Sequence, residues 1–426
     1  MDVIVLLVSL ILLYKGNLTW VLFSLILLTT SFLNLGSNIS EFLFTHNVSD
    51  SGLVLYLALC FYILKQNNFK LPKTPLSKYI KLFLLFLLVS IMVDLIFNGI
   101  DLLSIIKTSR HWIFLSCIWI FALIPEENIK KLIKYLLNAL AIAAIITIID
   151  FFFNVQLLGK EVKTEYLTPG FLIERAAIPS VLIIFFILLL FSKHFKFELK
   201  IKYFYIFIFS TVLITSMIRS LFLATVLGIL LVYILQEKLK LKNLFAGIIL
   251  ILVLIFLVTT NPIIQERFSE GLRDVQTFDL TSNVQGNFSL RILQMAERFY
   301  YVSQSFQRVL FGVGNITEQN FPYVFTIGLR DEFGMVTQLD TADIAWSLLF
   351  LRLGFLGTII YVIYYVNLLI RFYKLRLISP LSITMFVYLF ITITIISFAS
   401  SDIASGQFWL FPILIYYQIK KTIWRK

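Results

Sequence analysis

Apolar runs of membrane-spanning length follow one another along almost the whole chain, and nothing else in the sequence restricts its fold so severely. A helix needs about 20 apolar residues to cross the hydrocarbon, fewer where flanking side chains snorkel. On that criterion about thirteen segments qualify. They are residues 3–14, 18–35, 52–66, 79–98, 102–124, 130–153, 177–192, 203–218, 220–236, 243–260, 342–370, 380–399 and 405–420. The first is the shortest. With 59% hydrophobic residues against 14% charged, the chain carries more apolar surface than a soluble core could absorb. The fold class expected is an all-α polytopic membrane protein with about 12–13 transmembrane helices.

Basic residues orient the stack, because Lys and Arg collect on the cytoplasmic side. Clusters fall at Lys65–Lys81, Lys130–Lys134, Lys193–Lys202, Lys238–Lys242, Arg371–Arg376 and Lys420–Lys426. All six lie on one side if the C-terminus is cytoplasmic. Segments 36–51, 99–101, 154–176, the turn at Arg219, 261–341 and 400–404 then face outward. With thirteen spans the N-terminus is outside; without the first span it is inside. The start Met1-Asp2 lacks a basic region and no small-residue cleavage site follows, so the first run is expected to be retained. The organisation expected is residues 1–260 as helices 1–10, 261–341 as one long extracytoplasmic loop, and 342–426 as helices 11–13 with a cytoplasmic tail. A loop that long usually has a role. It carries an amphipathic pattern around Ser289–Val309.

Several function classes are excluded. A net charge of +12 would suggest nucleic acid in a soluble chain. Here it follows from topology and points to anionic lipid or an anionic substrate, with no nucleic acid. Cys60 and Cys117 both sit inside apolar runs, so neither a disulfide framework nor a cysteine metal site is available. There is no Walker loop, no His-Glu-x-x-His, no Gly-x-Ser-x-Gly, and only three histidines. No metal site and no cofactor is expected.

What remains is arginine on the outward side. Arg219 opens a span, Arg175 precedes one, and Arg291 leads the loop pattern. Arg110 shares a helical face with Lys107 and His111 at i, i+3, i+4 spacing. It would lie roughly 13 Å below the outer end of its helix. A guanidinium at that depth needs a partner or a wet cavity. Arginine is planar, permanently charged and bidentate toward paired oxygens, which suits a lipid diphosphate at the leaflet surface. Each arginine taken singly is also compatible with snorkelling to headgroups. Asp343 heads the helix that re-enters the membrane, as a proton acceptor or as a capping acid; Asp340 fits the cap equally well. Arg352, deeper in that helix, is expected to pair with Asp94 or Asp150. Gly312-Val-Gly314 reads as a turn ending a loop helix, not as a phosphate loop.

In their order along residues 200–420, these pieces resemble the O-antigen polymerase/ligase superfamily, the Wzy-like and ligase-like glycosyltransferases of bacterial surface polysaccharides. The carriers are Arg219, Arg291, Phe311-Gly-Val-Gly314, and Asp343 running to Gly354-Phe-Leu-Gly357. The first half matches only as a stack of spans. Three departures stand out: Ile218-Arg219-Ser220 replaces the usual Ser-Arg-Gly, the family's Pro before Gly-x-Gly is replaced near Val309, and Asp343 stands where ligases carry His. The last favours polymerase over ligase. The resemblance implies a GT-C-type bundle in the bacterial inner membrane with its site on the periplasmic side. It implies an undecaprenyl-diphosphate-linked oligosaccharide as substrate, with a chain-length regulator and a flippase as further partners. Arg219 and Arg291, helped by Arg175 and Arg110, would hold the diphosphate, and Asp343 would position or deprotonate the attacking hydroxyl. The alternatives are a ligase acting on lipid A core and, in a different class, a transporter of lipid-linked sugar.

Overall fold

The computed structural model describes residues 2–30, 48–153, 163–168, 171–175, 180–192, 198–216, 218–236, 287–317, 321, 325–330, 339 and 344–424. Among them the helices are α1 (Asp2–Tyr14), α2 (Leu18–Thr29), α3 (Val48–Gln66), α4 (Ser77–Ile96), α5 (Leu102–Ser109), α6 (Cys117–Leu123), α7 (Glu126–Phe153) and α8 (Ser180–Phe191). They continue as α9 (Leu199–Thr215), α10 (Arg219–Leu235), α11 (Asn287–Ser303), α12 (Phe306–Phe311), α13 (Ala345–Lys374), α14 (Pro380–Thr394) and α15 (Leu410–Trp424). Among the described residues, four helices are long and apolar enough to cross a membrane: Ser77–Ile96, Glu126–Ile149, Ala345–Lys374 and Pro380–Phe398. Val3–Tyr14, Leu18–Thr29, Leu182–Phe191 and Arg219–Leu235 are shorter apolar helices.

Two helices show what the apolar sequence does. The α8 sequence SVLIIFFILLLF is hydrophobic all round, and Leu182 to Leu190 are buried on every side, as such a helix requires. It packs against α10, α14 and α9. In α4, by contrast, Leu82, Leu85, Leu88, Met92 and Leu95 form an exposed stripe at i, i+3, i+4 spacing. Water does not tolerate a continuous apolar stripe and hydrocarbon does, so the outer surface of the bundle is that of a membrane protein. The other face of α4 packs on α13, which also meets α14.

The structure corrects several expected boundaries. Residues 102–124 are not one helix: α5 and α6 are joined by a 3-10 segment, Arg110–Ser116. The break lets a second 3-10 segment, Gly406–Trp409, lie directly on the first, where a Cβ on Gly406 would stand 2.0 Å from the His111 carbonyl oxygen. The amphipathic stretch 289–309 is likewise two helices, α11 and α12, divided where Ser305 adopts extended backbone. An antiparallel hairpin, β1 (Lys163–Thr168) with β2 (Phe171–Arg175), occupies part of the segment read as loop, a small addition to an otherwise helical, all-α membrane fold. An extended segment, β3 (Phe325–Arg330), lies along α11. The expected span 243–260, and Asp340, lie outside the described residues.

The pair α11–α12 is fastened to the bundle at a glycine contact. Gly312 ends α12 and Gly354 kinks α13, both in the left-handed region at φ 70° and 65°. The two backbones touch: a Cβ on Gly312 would lie 2.3 Å from the Leu351 carbonyl, and one on Gly354 2.6 Å from the Gly312 nitrogen. The Val313 N–H donates to Leu351 O at 2.8 Å. Gly312-Val-Gly314 is therefore the turn its sequence suggests. Asp94 on α4 accepts from the Asn315 backbone N–H and side-chain amide, both at 2.8 Å, while Arg352 donates to the carbonyls of Gly314 and Ile316. Arg352 and Asp94 thus grip one turn from two sides, each through the turn's own polar groups. On α11, Glu297 accepts from the Thr326 N–H at 2.6 Å and the Ile327 N–H at 3.1 Å, clamping β3. The fully buried Arg298 donates to Glu297 and stacks over Phe325 at 4.1 Å.

Candidate anion-binding site

Asp101 starts the site. It caps α5 by accepting the Ser104 N–H at 2.8 Å. The Ser104 hydroxyl and then its N–H hold the Asp101 carboxyl below the usual carboxylate range. The helix so nucleated buries Ser104 and Ile105 and exposes Leu102, Leu103, Ile106 and Lys107. At Arg110 the chain tightens into the 3-10 segment. Its far end is pinned by Tyr56, whose hydroxyl lies 2.6 Å from Ser116 Oγ. Its floor is aromatic: Trp112 meets Phe83 and Tyr361 edge-on, and Tyr361 accepts from the Trp409 indole N–H at 2.8 Å.

Beside the 3-10 segment is a cavity of about 300 Å³. Lys107, Arg110, His111 and Phe114 line it from the broken helix, and Thr29, Asp50 and Leu53 from α2 and α3. Leu348 of α13 and Ser401, Ala404, Ser405 and Gln407 close the remaining side. Arg110 Nη1 lies 2.8 Å from Asp50 Oδ1, with the arginine side chain 31% exposed and the aspartate 15%. Two cations face one carboxylate, so the wall has a net positive charge with His111 neutral. Hydroxyls and an amide supply further donors. Such a cavity suits a small polyanion, because two cations and several hydrogen-bond donors converge on one concave surface.

The cavity lies at the end of the bundle remote from the described basic residues Lys65, Arg371 and Lys421. Helices α3, α13 and α15 each begin near it and run to Lys65, Arg371 and Lys421, respectively. At that far end Lys421 donates to the Ile124 carbonyl and Arg371 to Pro75 O.

Of the residues singled out in the sequence, Arg110, Lys107 and His111 come together here despite the break in their helix. Arg219 is the half-buried first residue of α10, which packs on α8 and α14. Arg291 is half-buried on α11, which packs on α13. Neither lines the cavity. Arg175 ends β2, in register with Lys163. Asp343 lies outside the described residues. Sequence reasoning missed Asp50, Ser401, Ser405 and Gln407. An acid in the first turn of a span reads as a helix cap. The signal for the others was compositional: Ser400-Ser-Asp-Ile-Ala-Ser-Gly-Gln407 is the polar interruption between two apolar runs. No protein-family model matches the chain, and no curated protein does.

Proposed function

We propose that the chain is a membrane glycosyltransferase of GT-C type that polymerises lipid-linked oligosaccharide repeat units. The observation that carries this reading is the cationic cavity at one end of an apolar bundle, where Arg110 and Lys107 meet hydroxyl and amide donors. The glycan moves from undecaprenyl diphosphate to a hydroxyl of a second lipid-linked unit at the outer face of the bacterial inner membrane. A bond forms between the acceptor oxygen and the anomeric carbon as the carbon–oxygen bond to diphosphate breaks, its electron pair leaving on the diphosphate. Preorganised cations stabilise that developing charge. Arg110 and Lys107 hold the leaving group, Arg219, Arg291 and Arg175 are the further arginines assigned to diphosphate binding, and Asp343 takes the hydroxyl proton. Inversion at the anomeric carbon follows from a single displacement. The bundle has 12–13 spans, with the C-terminus cytoplasmic.

The test is to supply purified protein with a lipid-linked repeat unit and no lipid A, then resolve the products by size. A ladder of longer glycans, unchanged by a chelator, is the expected result. Absence of any product longer than the input contradicts the proposal, and a requirement for lipid A core would make the chain a ligase.

A further inference from the structure

We propose that Asp50 is a built-in counter-ion that occupies the cavity's arginine until an incoming phosphate or diphosphate displaces it. This rests on reading the cavity as an anion site, and not on the sugar chemistry. The geometry carries it. Asp50 Oδ1 meets Arg110 Nη1 at 2.8 Å, and both side chains face the space that Lys107 and His111 also line. A carboxylate presents to guanidinium the same paired oxygens as a phosphate does, so the two compete for one donor fork.

Displacement leaves Asp50 in a tolerable place. It stands in the first turn of α3, where the helix dipole favours negative charge whether or not Arg110 is near. The pair also solves a problem of the empty state. Without Asp50, Lys107 and Arg110 would stand side by side as like charges on the wall of a cavity of about 300 Å³ that Leu53, Phe114 and Leu348 also line. Removing one partner of a half-buried pair leaves the other uncompensated. Asp50 therefore holds Arg110 in place and lowers the anion affinity of the site.

The consequence separates this role from a purely structural one. Asp50→Asn and Arg110→Gln break the same ion pair, so loss of structure would move both variants the same way. A counter-ion role moves them in opposite directions. Asp50→Asn raises the cavity charge by one and frees the fork, whereas Arg110→Gln removes the fork.

The experiment measures binding of radiolabelled inorganic pyrophosphate and of farnesyl diphosphate to the full chain in detergent micelles. Asp50→Asn is expected to tighten binding about tenfold and Arg110→Gln to weaken it about tenfold, as expected for one charge within a few ångströms. Asp50→Ser, whose hydroxyl suits a helix start, should reproduce the gain if Asp50→Asn does not accumulate. Farnesyl diphosphate binding more tightly than pyrophosphate assigns the site to a lipid headgroup; equal affinity assigns it to the free anion. Either supports the counter-ion role. Weaker or unchanged binding in the Asp50 variants overturns it, as does failure of the wild-type chain to bind either probe. Failure of glycan polymerisation alone leaves it standing.

Discussion

Gly406 has no room for a side chain. Its missing Cβ would fall 2.0 Å from the His111 carbonyl oxygen and 3.2 Å from Trp112 Cα, so the neighbour that must yield is backbone. Alanine there should force the two 3-10 segments apart, at a cost of about 2 kcal/mol, typical of overpacking. A lowered unfolding temperature together with weaker anion binding is the expected outcome; a Gly406→Ala protein that melts and binds like the parent would show that the two segments do not depend on each other. At this scale, what could be read from sequence depended on cost. Arg110 stood out because a guanidinium inside an apolar run is expensive and needs a reason. Asp50, its partner, did not: an acid at the first turn of a helix is ordinary. Only the fold brings them together, since they sit sixty residues apart on different helices.

Among the elements, the kink of α13 decides how the loop helices meet the bundle. Gly312 and Gly354 both have positive φ, and each occupies the space where a side chain of the other would stand. Gly312→Ala should therefore cost about 3 kcal/mol, from left-handed strain combined with the clash against Leu351 O. It should also release α11 and α12, so limited proteolysis would cut between Asn287 and Phe311 while the spans stay intact. A variant as resistant as the parent contradicts this. Hydropathy found nearly every described helix, because apolar length is what a bilayer demands. It did not find the break at Arg110–Ser116. The run from Ile105 to Leu123 contains no Pro or Gly, so neither usual breaker was there to be read. The broken segment packs against the Gly406 segment, nearly 300 residues further on, a contact that no local pattern displays. The hairpin at 163–175 was missed for a related reason: a short polar stretch between spans has too few residues to display a period.

For the whole molecule, the arrangement is one of ends. An apolar stripe on α4 marks the side, the described basic residues Lys65, Arg371 and Lys421 lie at one end, and the cationic cavity lies at the other. The first two were legible because both are statements about composition along the chain. The cavity was only half legible, because its charges come from α3 and the broken helix, and its hydroxyls from the segment before α15. The most direct measurement is the number of undecaprenyl diphosphates released for each repeat unit joined, in proteoliposomes of the wild-type chain and of Arg110→Gln. One diphosphate per bond is expected from the wild type, with a rate at least about 100-fold lower in the variant, the scale of losing a donor to a developing oxyanion. Undiminished release from Arg110→Gln, or glycan growth without diphosphate release, would contradict the claim that this cavity holds the leaving group.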